Sequence, residues 1–189
     1  PIGQLVDALR EIGADIEYME KEGYPPLKIN GRKLLGGELR MQANVSSQYL
    51  SAILMIAPYT RDGVKLIIEG DLVSRPYLQM TLSLMQDFGV SYTWEDNVID
   101  IKPSEYCSRE FTVENDWSAA SYWYSVVAMS EGKSIKLRYL LSESLQGDSK
   151  LVELYKPLGV DTTFVDGGVI LTKNLHTELP NFYDISLKQ

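Results

Sequence analysis

The sequence has few of the cysteine, histidine and basic residues that several classes of protein require. It has one cysteine, Cys107, which excludes an internal disulfide framework, and one histidine, His176, which leaves too few soft ligands for a typical zinc site. Its 18 Lys and Arg residues are outnumbered by 26 Asp and Glu residues, giving a net charge of −8. A surface that follows nucleic-acid phosphates normally needs a basic excess. We therefore expect neither metal chemistry nor a nucleic-acid partner, although an anionic small molecule could still bind.

Long hydrophobic runs are also missing. The longest, from Ala52 to Pro58, is far shorter than the roughly 20 residues that a membrane span needs. We also expect no signal peptide before it. We therefore expect a cytoplasmic protein without a membrane partner. Of the 189 residues, 44% are hydrophobic, which suits one or two globular domains. The chain begins at Pro1 within a helical apolar pattern, and we expect it to be a fragment of a larger protein.

A repeated pattern runs through the chain. Three helical segments end at a glycine followed by a small apolar residue, and each is followed by a strand, a turn and a second strand. The three glycines are Gly13, Gly89 and Gly159, separated by 76 and 70 residues. A glycine at this position predicts a helix C-cap with positive φ.

A second repeated element lies between these segments. One helix opens at residues 46–48 and leads to a strand at residues 64–68, and another opens at residues 116–118 and leads to a strand at residues 134–137. Ser47 and Ser118 are 71 residues apart. The pattern predicts an α/β (α+β) fold built from βαβαββ subdomains of about 70 residues. Two whole copies would follow the tail of an earlier one.

The best candidate for an anion site is the helix start Ser46-Ser47-Gln48. Two hydroxyls and an amide come together there with unpaired backbone N–H groups and the positive end of the helix dipole. The apolar face of the same helix is predicted from its spacing: Leu50, Ile53, Leu54 and Ala57. The alternative is that Ser46 only caps the helix.

A second candidate is the loop Gly-Asp-Leu-Val-Ser-Arg-Pro-Tyr at residues 70–77. Pro76 suits a first helical turn, Ser74 and Arg75 could bind an anion, and Tyr77 could present its ring to a small cyclic substrate. The alternative is that Ser74 caps the helix and Arg75 is solvated.

Other chemically able residues have structural explanations. Four aromatic residues at helical spacing predict core and rim packing: Trp117, Tyr122, Trp123 and Tyr124. Cys107 has no histidine near it in the sequence, so we do not expect a nucleophile. His176 lies in a polar loop and is expected to be solvated. Asp148 is expected to cap the helix that follows it.

In combination these motifs identify a family. The helix start at residues 46–48, the loop at residues 70–77, Tyr-Pro-Pro-Leu at residues 24–27 with Gly36-Gly37, and Ser-Leu-Gln-Gly-Asp at residues 144–148 stand in the order and at the spacing of one family. The chain thereby resembles the 5-enolpyruvylshikimate-3-phosphate (EPSP) synthase family over essentially its whole length. The resemblance implies an inside-out α/β barrel of six βαβαββ subdomains, with substrates bound between two halves. Residues 1–113 would belong to the half that binds shikimate 3-phosphate, and residues 114–189 to the second half.

The resemblance also implies a reaction. The family transfers the enolpyruvyl group of phosphoenolpyruvate to the 5-hydroxyl of shikimate 3-phosphate and releases phosphate, without a cofactor, in aromatic amino acid biosynthesis. Six positions carry over as substrate-binding residues: Ser46, Ser47, Gln48, Ser74, Arg75 and Tyr77. The three serines would hold the 3-phosphate, and Gln48 would reach the ring hydroxyl and the phosphoenolpyruvate side. Tyr77 would lie against the shikimate ring, and Arg75 stands where the family usually has a basic residue. We expect a monomer.

The departures from the family concern catalysis. Its N-terminal Lys and Arg cluster, its acid–base Asp, and its later Lys-Glu and Arg groups have no counterpart in the 189 residues. We therefore expect no catalytic residue within the chain, and no turnover by the chain alone. Two alternatives are kept: the sister enzyme that transfers enolpyruvate to a UDP-amino sugar, and a non-catalytic α/β repeat scaffold.

Overall fold

The computed structural model describes residues 1–72 and 75–183. The chain divides into two compact units, Pro1–Arg109 and Glu110–Gln189, near the predicted boundary after residue 113. That each unit belongs to a different substrate-binding half remains a prediction.

The first unit begins with the tail of a repeat and continues with one whole copy. The tail consists of α1 (Gly3–Glu11) and the antiparallel pair β1 (Asp15–Tyr18) and β2 (Leu27–Asn30). The whole copy follows in chain order: β3 (Gly37–Gln42), α2 (Ser47–Ile56), β4 (Val64–Glu69), α3 (Arg75–Asp87), β5 (Tyr92–Glu95) and β6 (Val98–Ile101). This is the predicted βαβαββ order.

The sheet of the first unit brings two helix starts to one edge. Its strand order is β3-β4-β6-β5, and β3 and β4 are parallel, with Gln42 opposite Glu69 at their carboxyl ends. Parallel strands end at the same edge of a sheet. Because α2 and α3 begin a few residues after β3 and β4, both helices start near this carboxyl edge.

The core of the first unit confirms the predicted face of α2. Leu50, Ile53, Leu54 and Ala57 are all fully buried and pack in one cluster with the inner faces of β3, β4 and β6. Complete burial of a Leu or Ile side chain contributes about 1.5–3 kcal/mol. The spacing of these residues is that of a helix with one face in a core.

The repeat glycines have the predicted conformation. Gly13, Gly89 and Gly159 have φ of +104°, +92° and +78°. These angles lie in the region where a side chain is strained, so a glycine can end each helix and turn the chain into the next strand.

The second unit departs from the predicted complete copy. Its elements are α4 (Trp117–Ala128), β7 (Ser134–Arg138), α5 (Leu151–Tyr155), β8 (Val160–Val165) and β9 (Gly168–Lys173), and its antiparallel sheet has the order β7-β9-β8. The expected first strand is missing, because residues 110–116 form no strand. The backbone N–H and side-chain amide of Asn115 bind the carbonyls of Tyr139 and Arg138 at the end of β7. Within the described chain β7 pairs along its length with β9 alone.

The aromatic residues of α4 divide between core and surface. Trp117 and Tyr124 are fully buried, as predicted, whereas Tyr122 and Trp123 are exposed. Helices of the described residues are all too short or too polar to cross a membrane.

Candidate active-site edge of the first unit

The start of α2 is organised by Ser46. Its hydroxyl accepts a hydrogen bond from the backbone N–H of Gln48 at 3.3 Å, so the capping role held as the alternative is present. Ser47 is half-buried and Gln48 is exposed. A cap satisfies one of the first four N–H groups of a helix, and a ligand could still bind others.

The start of α3 presents a basic and an aromatic residue. Arg75 is its first residue, Pro76 the second, and Tyr77 the third, with 54% of the Tyr77 side chain exposed. Pro76 in the first turn follows the predicted pattern, since its missing N–H would have no partner within the helix. Ser74, predicted to hold phosphate, lies outside the described residues.

A hydrogen bond holds the two helix starts side by side. The hydroxyls of Ser51 and Thr81 are 2.9 Å apart. Ser51 lies one turn after Ser47, and Thr81 lies one turn after Tyr77. The structure therefore brings the predicted residues of α2 and those of α3 to neighbouring first turns.

The loops around this edge are tied to the strands. The side-chain amide of Gln42 donates to the Glu69 carboxylate at 2.6 Å, and the N–H of Ala43 donates to the Glu69 carbonyl at 2.8 Å. On the other side, the amide of Asn97 donates to the Gly70 carbonyl at 3.0 Å. These bonds restrict the segments that lead into α2 and α3.

Arg75 has a partner that sequence reasoning missed. The centre of its guanidinium lies 4.3 Å from the centroid of the Trp94 ring, on β5. This distance is typical of a cation–π interaction. The two residues are distant in sequence and meet only through the β5–β6 hairpin, so no local pattern could have indicated the contact.

The start of α4 has the same cap geometry with different chemistry. Asp116 accepts a hydrogen bond from the N–H of Ser118 at 2.8 Å. By its cap, the equivalent of Ser46 is therefore Asp116, 70 residues later. The Ser118 hydroxyl donates to the carboxylate of Asp148. Asp148 caps no helix, contrary to expectation, because it lies inside a 3₁₀ turn and its carboxylate is used by Ser118.

Glu114 organises the chain just before α4. One carboxylate oxygen accepts from the Trp117 indole at 2.8 Å and the Leu141 N–H at 2.9 Å. The other accepts from the Ser144 hydroxyl at 2.7 Å and the Gln146 amide at 3.2 Å. No local sequence pattern indicates this role of Glu114, although the Ser-Leu-Gln motif at residues 144–146 supplies two of its four donors.

Two tyrosines that lie away from the first turns of α2 and α3 have raised pKa values. Burial, with a smaller contribution from Tyr59, raises the pKa of Tyr106, whose hydroxyl donates to the Met55 carbonyl near the end of α2. Burial also raises the pKa of Tyr124 in the second unit, while its hydrogen bond to Thr162 acts in the opposite direction.

The remaining candidate residues form no reactive group. Cys107 is exposed, and His176 is exposed in a loop where its N–H binds Asn174. Across residues 1–72 and 75–183, no three His, Cys, Asp or Glu side chains lie close enough together to hold a metal ion.

Comparison with known families decides the classification. Residues 1–181 match the family model described as EPSP synthase (3-phosphoshikimate 1-carboxyvinyltransferase). The chain belongs to the EPSP synthase family. The match covers both compact units and includes every predicted substrate-binding position.

Curated relatives agree with the EPSP synthase assignment. A 3-phosphoshikimate 1-carboxyvinyltransferase of Bacteroides fragilis is 51% identical over 175 residues, which are 92% of this chain and 43% of the relative. One of Vibrio atlanticus is 42% identical over 173 residues, which are 90% of this chain and 40% of the relative. The chain thus spans about two fifths of the length of these relatives.

Solved structures confirm the predicted fold. EPSP synthase from Acinetobacter baumannii superposes with a TM-score of 0.66 at 22% identity, covering 91% of this chain and 38% of that one. The enolpyruvyl transferase NikO from Streptomyces tendae has a TM-score of 0.61 at 13% identity, covering 93% and 42%. At these identities the likeness concerns fold, and it is the inside-out α/β fold of enolpyruvyl transferases.

Proposed function

We propose that the protein containing this chain is a 3-phosphoshikimate 1-carboxyvinyltransferase. It would transfer the enolpyruvyl group of phosphoenolpyruvate to the 5-hydroxyl of shikimate 3-phosphate and release phosphate. The observation that carries the proposal is the 51% identity to a curated enzyme of that name across 92% of the chain. The adjacent first turns of α2 and α3 support it, because they place hydroxyl, amide and aromatic side chains at one edge.

Within this reaction the chain would bind shikimate 3-phosphate. Ser46, Ser47 and Ser74 would hold the 3-phosphate, since hydroxyls and helix N-termini donate hydrogen bonds to anions. Gln48 would reach the ring hydroxyl, and Tyr77 would lie against the ring. Ser51 and Thr81 support this arrangement by joining α2 to α3 one turn further on.

The chemical step would depend on residues outside this chain. The general acid–base Asp and most of the Lys and Arg groups of the family have no counterpart among the 189 residues. We expect the chain alone to bind substrate without turnover. We further propose a cytoplasmic, monomeric enzyme.

The test is calorimetric titration of the full-length protein with shikimate 3-phosphate. Ser47→Ala and Tyr77→Ala should each weaken binding about tenfold, the effect of losing a hydrogen bond to a charged group or a ring contact. Tyr122→Ala is the matched control, because Tyr122 is also an exposed helical tyrosine but lies in the second unit. Absence of wild-type binding at millimolar ligand would refute the proposal, and equal affinities for all variants would refute the residue assignment.

A further inference from the structure

The tip of the β5–β6 hairpin is fastened to the loop that leads into α3. The indole N–H of Trp94 donates to the Asp96 carbonyl at 3.0 Å, which fixes the ring, and the ring packs in part against the core. Asn97 donates its amide to the Gly70 carbonyl at 3.0 Å and accepts from the Ile68 N–H at 2.8 Å. The hairpin is thereby held against the end of β4 and the start of the following loop.

The guanidinium of Arg75 lies over the fixed Trp94 ring, with its centre 4.3 Å from the ring centroid. A cation–π contact uses the charge of the guanidinium and does not consume its N–H donors, which can still bind an anion. Among the described residues, no hydrogen bond or ion pair engages the Arg75 side chain. Of the five other arginines of the first unit, four lie within 3.8 Å of a carboxylate oxygen: Arg10, Arg40, Arg61 and Arg109.

We propose that Trp94 is a positioning residue, which holds the Arg75 guanidinium ready to bind the phosphate of shikimate 3-phosphate. The inference rests on the proposed function, which counts Arg75, the first residue of α3, among the substrate-binding residues. A long side chain that is already held in place loses less conformational entropy when its ligand binds. Trp94 acts through Arg75 and does not itself contact the substrate.

The experiment compares two ligands in the full-length protein. Trp94→Leu should raise the KM and the dissociation constant for shikimate 3-phosphate about three- to fivefold, the equivalent of an exposed cation–π contact, with kcat unchanged. Trp94→Phe keeps an aromatic face and should restore most of the affinity. Binding of shikimate, which lacks the phosphate, should be the same in wild type and Trp94→Leu.

A double-mutant cycle with Arg75→Met separates positioning from general structural damage. Arg75→Met should weaken shikimate 3-phosphate binding about tenfold, and adding Trp94→Leu to it should cause no further loss. If Trp94→Leu weakens both ligands equally, or weakens binding in the Arg75→Met background, the inference is wrong. If the wild type binds but Trp94→Leu is unchanged, the inference fails while the proposed function stands. If the wild type does not bind, both fail.

Discussion

The starts of α2 and α4 occupy the same place in two copies of one repeat, but they differ in charge. Both are capped by a side chain that accepts a hydrogen bond from the N–H two residues later. At α2 the cap is the neutral hydroxyl of Ser46. At α4 it is the carboxylate of Asp116, and a second carboxylate, Asp148, binds the neighbouring Ser118.

The difference separates folding from ligand binding. Serine and aspartate cap helices about equally well, so either residue satisfies the fold. Only the neutral cap leaves the positive end of the helix dipole available to an external anion. The repeat therefore supplies the same local structure twice, and side-chain charge determines which copy suits a phosphorylated ligand.

Giving the start of α2 a carboxylate cap, like the one at the start of α4, should have the largest effect. Ser46→Asp preserves the cap but sets a carboxylate where the phosphate is proposed to bind, and placing like charges side by side costs several kcal/mol. We expect shikimate 3-phosphate binding in the full-length protein to weaken about 100-fold or more by calorimetry. Ser46→Asn is the matched control, since asparagine is a neutral cap of the same shape. Retained affinity in the Asp variant would mean that the ligand binds elsewhere.

Loss of Glu114 should destabilise the start of α4 and leave the start of α2 unaffected. Glu114→Ala removes the acceptor of four hydrogen bonds, among them those of the part-buried Trp117 indole N–H and Ser144 hydroxyl. The free energy of unfolding should fall by about 2 kcal/mol, measured by urea denaturation. Glu153→Ala provides an exposed control, because the Glu153 carboxylate lies on the surface and pairs with Lys150 at 3.0 Å. An equal effect of the two substitutions would show that the Glu114 hydrogen bonds contribute little.

The smallest expected effect concerns the buried faces of α2 and α4. Tyr124 lies 70 residues after Leu54, and both are fully buried, but only Tyr124 can ionise. Because burial raises the pKa of Tyr124, its contribution to stability is complete below the ordinary tyrosine value of about 10 and is lost as pH rises through the folded-state value. Tyr124→Phe should lower the free energy of unfolding by about 1 kcal/mol at neutral pH, through loss of the Thr162 hydrogen bond.

The pH series checks the origin of that effect. The difference in the free energy of unfolding between wild type and Tyr124→Phe should become smaller above pH 10, in denaturation experiments at constant salt. Tyr106, whose pKa is also raised, is present in both proteins, so its contribution cancels in the comparison. If the free energies of unfolding of the two proteins change in parallel with pH, Tyr124 ionisation has no role.

Local features of the fold were predictable, and long-range ones were not. The positive φ of Gly89, the cap at Ser46 and the buried position of Leu54 depend on residues within a turn or two, so spacing alone indicated them. The missing strand before α4 could not be predicted, because a strand forms only where a neighbour accepts its hydrogen bonds. The Arg75–Trp94 contact depends on how the β5–β6 hairpin packs, which no local pattern indicates.

The incomplete sheet of the second unit also affects how the chain behaves at high concentration. One edge of β7 has no strand partner in the described chain, and an open edge is a template for pairing with another molecule. Lys136 and Arg138 put two positive charges on this short strand, and charged side chains on an edge discourage such pairing. These two charges therefore oppose pairing of β7 strands between copies of the chain, and neutralising them should promote association through this edge.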